Sequence, residues 1–65
     1  MSFMERLKKE REELSDKIEK LMLFLVSEKF NELDDQNKLL LNQQEVHMQC
    51  YLRVLDQRIE LLSGK

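Results

Sequence analysis

The chain has 65 residues, a formal net charge of −2 and a single cysteine, Cys50. A chain of this length forms one small domain, residues 1–65, whose core is marginal as a monomer. The one cysteine excludes an internal disulfide, and His47 with Cys50 cannot complete a four-ligand zinc site within one chain. We therefore expect the chain to gain stability by associating with another chain.

Charge and hydropathy narrow the class of protein further. The weakly acidic balance gives no general reason to expect nucleic acid or an anionic membrane as the partner. No apolar run approaches the roughly 18 residues of a membrane span, and the N-terminus MSFMERLKKER turns charged too early for a secretion signal. Together with the unpaired cysteine, these features predict a cytoplasmic protein.

The composition predicts an all-α fold, because proline is absent, Gly64 is the only glycine and good helix formers dominate. A first helix is predicted over residues 2–29, with Ser2 as its N-cap and Glu5 in the capping-box position. Along this helix, residues recur at alternating steps of three and four and form a mostly apolar seam that includes one polar residue. The seam residues are Met4, Leu7, Arg11, Leu14, Ile18, Leu21 and Leu25. The segment LMLFLV (21–26) is apolar all round, so we expect it to be enclosed on several sides.

The polar stretch SEKFNELDDQNK contains the break between two helices. A turn is predicted at 30–34, with Asp34 or Asp35 as the next N-cap. The second helix is predicted over residues 35–62 and ends before the Ser-Gly pair that follows. Because a short connection joins two long helices, the chain is expected to form an antiparallel two-helix hairpin.

The second helix carries apolar residues on two sides. One stripe fits the seam of the first helix and consists of Leu41, Met48, Leu52, Leu55, Ile59 and Leu62. A second set lies where its own hairpin cannot cover it, and is the predicted oligomer or partner interface: Leu39, Leu40, Val46, Cys50, Val54 and Leu61. Exposing large aliphatic side chains costs roughly 1.5–3 kcal/mol each. We therefore predict that two hairpins pack into a four-helix-bundle-like homodimer.

No residue constellation suits catalysis, so neither an enzyme nor a cofactor or metal site is predicted. Tyr51 lies seven residues from both Gln44 and Arg58. The simpler interpretation of this row is an amphipathic helix edge. The alternative is a ligand pocket at a subunit junction, in which Tyr51 stacks on a base and Arg58 contacts a phosphate.

Three weaker alternatives concern the remaining polar residues. Cys50 is interpreted as a small interface hydrophobe rather than a redox thiol. A zinc ion shared by two copies would need His47 and Cys50 from each. The basic residues of the first helix can be considered a DNA-binding patch, but interleaved glutamates indicate a solvated face. The basic residues are Arg6, Lys8, Lys9 and Arg11.

The sequence resembles a family of small bacteriophage helical-hairpin proteins along nearly its whole length. The shared pattern is a charged first helix, an aromatic residue and L-[SD]-D at the turn, and a Leu pair with Gln. It ends in M-x-x-Y-x-x-[VI]-L-x-x-R-[IL], matched here by Met48, Tyr51, Val54, Leu55, Arg58 and Ile59. Similar proteins of lambdoid phages are encoded in the early region between the exonuclease and excisionase genes.

The resemblance implies a non-enzymatic accessory role inside the host cell. Through contact with a host or phage protein, such a protein would modulate host physiology or the lysis–lysogeny decision. Phage proteins with a related hairpin sequester cyclic-nucleotide signals of bacterial immunity. An oligomeric sponge for these signals, meaning a protein that binds and withholds them, is therefore the alternative function.

Overall fold

The computed structural model describes residues 2–64, which form two long helices joined by a short helical segment. Helix α1 comprises Phe3–Leu25, α2 Glu28–Asn31 and α3 Asp35–Leu62. Helices α1 and α3 pack antiparallel along their length, and no strand occurs between residues 2 and 64. The result is a rod of 46 × 17 × 15 Å. The predicted all-α antiparallel hairpin is confirmed.

Side-chain caps fix the start of each long helix. The Ser2 hydroxyl accepts a hydrogen bond from the Glu5 backbone N–H at 3.1 Å. Asp34 Oδ1 accepts one from the Asn37 backbone N–H at 2.9 Å, so Asp34 rather than Asp35 is the N-cap of α3. Both bonds satisfy backbone donors that the first turn of a helix leaves without an intrahelical partner.

The connection begins earlier than the residues 30–34 expected from the sequence. Helix α1 ends at Leu25, and the Ser27 hydroxyl donates to the Phe24 carbonyl at 2.6 Å and accepts from the Phe30 N–H at 3.4 Å. Ser27 thereby closes one helix and caps the next, the single turn α2. The rings of Phe24 and Phe30 meet edge to face, 6.3 Å apart, and hold this turn against the end of α1.

The core lies along the seam between α1 and α3 and is thin. Leu7 and Ile18 from α1 and Leu55 from α3 are its buried side chains, and Leu55 is buried completely. Other seam residues on both helices are half-buried. Leu62, which the sequence assigned to this stripe, is instead half-exposed at the C-terminal end of α3.

The apolar segment at the end of α1 is not enclosed within one chain. Leu23 and Val26 are 65% and 83% exposed, and Met22 is also open to solvent. Helix α3 and the single turn α2 cover only part of this segment, so its remaining faces are exposed. Neither long helix has an apolar window sufficient to cross a bilayer in the part of the chain described here.

Candidate functional site

A shallow groove lies at the open end of the hairpin, where the N-terminus of α1 meets the C-terminus of α3. The Arg58 guanidinium lies over the Phe3 ring, with Cζ 5.7 Å from the ring centroid. A depression of about 250 Å³ begins at this pair and is lined by Phe3, Arg6, Leu7, Glu10 and Arg58. A second, of about 280 Å³, is lined by Phe3, Arg58, Leu61 and Leu62. Because the two depressions share Phe3 and Arg58, they adjoin; we call them together the open-end groove.

Tyr51 is linked to the open-end groove through Glu10. The Tyr51 hydroxyl donates a hydrogen bond to Oε2 of Glu10, which lies 41 residues earlier in the sequence. This bond raises the pKa of Tyr51, because it stabilises the protonated phenol; desolvation and the Glu10 charge act in the same direction, and Arg58 opposes them. Tyr51 is still 43% exposed, so part of its surface remains open to solvent.

The groove combines an aromatic surface with an excess of positive charge. Arg6 and Arg58 supply two guanidinium groups, and Glu10 is the one acidic side chain among the lining residues. Arginine binds phosphate with paired hydrogen bonds, and aromatic rings or guanidinium planes stack on nucleobases. The arrangement is chemically suited to a small anion that also carries flat rings.

An ion pair flanks the groove and ties the helices together. Arg11 Nε lies 2.5 Å from Asp56 Oδ1, and this carboxylate raises the pKa of the guanidinium. Arg11 is the one polar residue of the α1 seam, and the ion pair explains how it is accommodated there. It also engages one of the four basic residues considered as a DNA-binding patch.

The structure brings together some of the candidate ligand contacts and not others. Tyr51 and Arg58 lie two helical turns apart, about 10.5 Å along α3, and both face the N-terminal half of α1. Gln44 lies two turns further toward the connection, and its amide contacts Met48 Sδ at 3.9 Å on the same helix. It therefore lies away from the open-end groove.

Sequence reasoning did not select Phe3 or Glu10 as site residues, and it considered Arg6 only as part of a DNA-binding patch. Each belongs to the other helix and reaches the groove only through the antiparallel packing. A signal was available, since folding the predicted hairpin about its turn places the start of α1 beside the end of α3. Identifying the actual pairs required the register of the two helices.

The predicted interface residues are exposed in the single chain. Leu39, Leu40, Val46, Val54 and Leu61 are all open to solvent, with Leu61 at 73%. Cys50 is a free, exposed thiol. His47 is also exposed, and no group of three or more His, Cys, Asp or Glu side chains suited to a metal occurs within residues 2–64.

Comparison with known proteins gives one match. No curated protein and no solved structure matches the chain. The model of one family, described as Sequestin, matches residues 1–61. This range includes the groove residues from Phe3 to Arg58 and ends at Leu61.

Proposed function

This chain belongs to the Sequestin family, and from this premise we propose that it sequesters a small nucleotide signal without transforming it. The family name suggests sequestration. The observation that carries the proposal is the open-end groove, where Phe3 and two arginines lie together. Binding and withholding a ligand needs these recognition groups but no nucleophile or general base.

Each groove residue has a role in this proposal. A base stacks on the Phe3 ring or on the Arg58 guanidinium plane above it, and Arg6 and Arg58 pair with phosphate oxygens. Glu10 repels an anion, and its bond to the Tyr51 hydroxyl engages one of its two oxygens. The exposed side of Tyr51 is available to a second base.

We propose cyclic di- or trinucleotides of bacterial immunity as the ligands. Such molecules carry several bases and several phosphates, which suits two adjoining depressions that share an aromatic ring and an arginine. Each depression alone is smaller than the roughly 300–1,000 Å³ of typical ligand pockets. A second copy of the chain that closes the groove supplies the missing enclosure, so the proposal includes a homodimer.

Isothermal titration calorimetry with cyclic di- and trinucleotides tests the proposal. We expect binding that Arg58→Ala weakens about 10- to 100-fold, because a charge-assisted hydrogen bond contributes about 1.5–3 kcal/mol. Arg53→Ala is the matched control, since Arg53 is an exposed arginine of the same helix outside the groove. Absence of heat with every cyclic nucleotide, or equal weakening by both variants, contradicts the proposal.

A second candidate function is binding of a host or phage protein. The exposed apolar residues near the connection favour it: Met22, Leu23, Val26, Leu39 and Leu40. In this role the chain is a cytoplasmic phage protein that influences host physiology or the choice between lysis and lysogeny. A pull-down from host lysate tests this candidate. If the wild type and a Leu23→Lys variant both recover only the chain itself, the candidate is contradicted.

A further inference from the structure

We infer that the outer face of α3 pairs antiparallel with the same face of a second copy, about a two-fold axis at Cys50. The inference rests on the homodimer proposed above and adds its geometry; it does not depend on the ligand. We call this face the outer stripe. It consists of Leu39, Gln43, Val46, Cys50, Val54, Gln57 and Leu61.

The outer stripe reads the same in both directions from its centre. On either side of Cys50 there is a valine at four residues, a glutamine at seven and a leucine at eleven. A two-fold axis perpendicular to an antiparallel helix pair makes each residue meet the one equally far on the other side of the centre. A stripe with this mirror order is therefore complementary to itself in that orientation.

The spacing also keeps the outer stripe straight. At about 100° per residue, all seven positions fall within about 40° of Cys50 around the helix. The spacing of four, three and four residues occurs once before Cys50 and once after it, so the pattern repeats every eleven residues. An eleven-residue period follows the axis of an α-helix closely. The seven positions thus form one narrow seam about 33 Å long, at 1.5 Å per residue.

The outer stripe has no cover within its own chain. All seven residues are exposed, because α1 packs on the other side of α3, where Leu55 is completely buried. The apolar side chains of the stripe are not isolated, since Val46, Cys50 and Val54 follow at successive helical turns and a leucine lies two turns beyond each valine. An exposed stripe that is apolar at five of its seven positions marks an interface.

The exposed area matches what a dimer needs. The chain has 5335 Å² of accessible surface, whereas a compact monomer of its mass has about 4,400 Å². The difference, about 900 Å², is close to the roughly 800 Å² that each partner contributes to a standard interface. The rod shape causes the excess, and one long side of that rod is the outer stripe.

The pairing also specifies its register. Leu39 faces Leu61 of the second copy, Val46 faces its Val54, and the two Cys50 thiols meet at the axis. Gln43 faces the second copy's Gln57, and two carboxamides can donate to and accept from each other. If one α3 helix is shifted by one turn along the other, Gln43 faces an apolar side chain and its amide has no hydrogen-bond partner.

Disulfide crosslinking tests orientation and register. In a Cys50→Ser background, Leu39→Cys chains and Leu61→Cys chains are oxidised separately and as a mixture by oxidised glutathione. We expect a disulfide-linked dimer in the mixture and none in either variant alone. In the antiparallel pair, two residues at position 39 lie about 33 Å apart, far beyond the 4.4–6.8 Å between Cα atoms of a disulfide.

Two results overturn the inference, and they are distinguishable. If the mass in solution is that of a dimer but Leu39→Cys chains link to themselves, the homodimer stands and the antiparallel orientation is wrong. If the mass is that of a monomer and no mixture links, both the homodimer and its geometry are wrong. Titration with cyclic nucleotides remains a separate test of the ligand.

Discussion

Tyr51 is the residue whose chemistry depends most on the contact between the two long helices. Its hydroxyl donates to Glu10 across the helix pair, while Arg58 lies two turns away on its own helix. The bond fixes one oxygen of Glu10, the acidic side chain that lines the open-end groove. Tyr51 therefore positions an acidic neighbour in addition to offering its ring.

Titration of the tyrosine absorbance tests this contact, because the chain has only one tyrosine. We expect the phenolate to form at a higher pH than in an unfolded chain, since the Glu10 bond raises the pKa of Tyr51. A raised folded-state pKa means that this contribution to stability is present below the ordinary value near 10 and is lost as pH rises past the folded value. Glu10→Ala should lower the pKa and Glu12→Ala should not; an unchanged midpoint in Glu10→Ala contradicts the assignment.

At the scale of the elements, hydroxyl and carboxylate caps decide where each helix begins. The side chains of Ser2, Ser27 and Asp34 each accept a hydrogen bond from the backbone N–H of the residue three positions later in the chain. Ser27 has the largest consequence, because its second bond, to the Phe24 carbonyl, ends α1 and lets α2 turn the chain. The direction in which α3 leaves the connection then depends on the Asp34 cap.

Replacing the α3 cap should destabilise the hairpin. We expect Asp34→Ala to lower the free energy of unfolding by about 0.5–2 kcal/mol, because the Asn37 N–H loses its partner. Urea denaturation should show a lower midpoint with an unchanged slope. Asp35→Ala removes an acidic side chain next to the cap but no capping bond, so its effect should be smaller; equal midpoints for both variants contradict the role of Asp34.

At the scale of the whole molecule, the hairpin is a rod with too little core for its apolar content. Its fully buried side chains lie on one seam, while large aliphatic residues stand open on the outer face of α3 and near the connection. Burial of a second seam is the physical reason to propose a dimer. The open-end groove and the outer stripe share Leu61, but Phe3, Arg6 and Arg58 lie outside the stripe, so variants at these three residues test ligand binding without changing the stripe.

A charge placed in the outer stripe should separate the proposed dimer. We expect Val46→Glu to weaken dimerisation about 100-fold or more, because two unpaired carboxylates would be buried in one interface. Sedimentation at micromolar concentration measures the change, and circular dichroism reports the helix content. Asn42→Glu, outside the stripe on the same helix, is the control; a dimeric Val46→Glu protein contradicts the proposed seam.

The sequence by itself determined the helical class, the Ser2 cap and the apolar seam, and it narrowed the cap of α3 to Asp34 or Asp35, because each depends on residues close together in the chain. It also selected Tyr51 and Arg58 by their spacing on one helix. Only the tertiary structure decided that Phe3, Arg6 and Glu10 join them and that Gln44 does not. The physical reason is register, because which residues of two antiparallel helices meet depends on where the connection begins and ends. The two Ser27 bonds make the connection begin before Lys29, where the sequence had placed the end of the first helix.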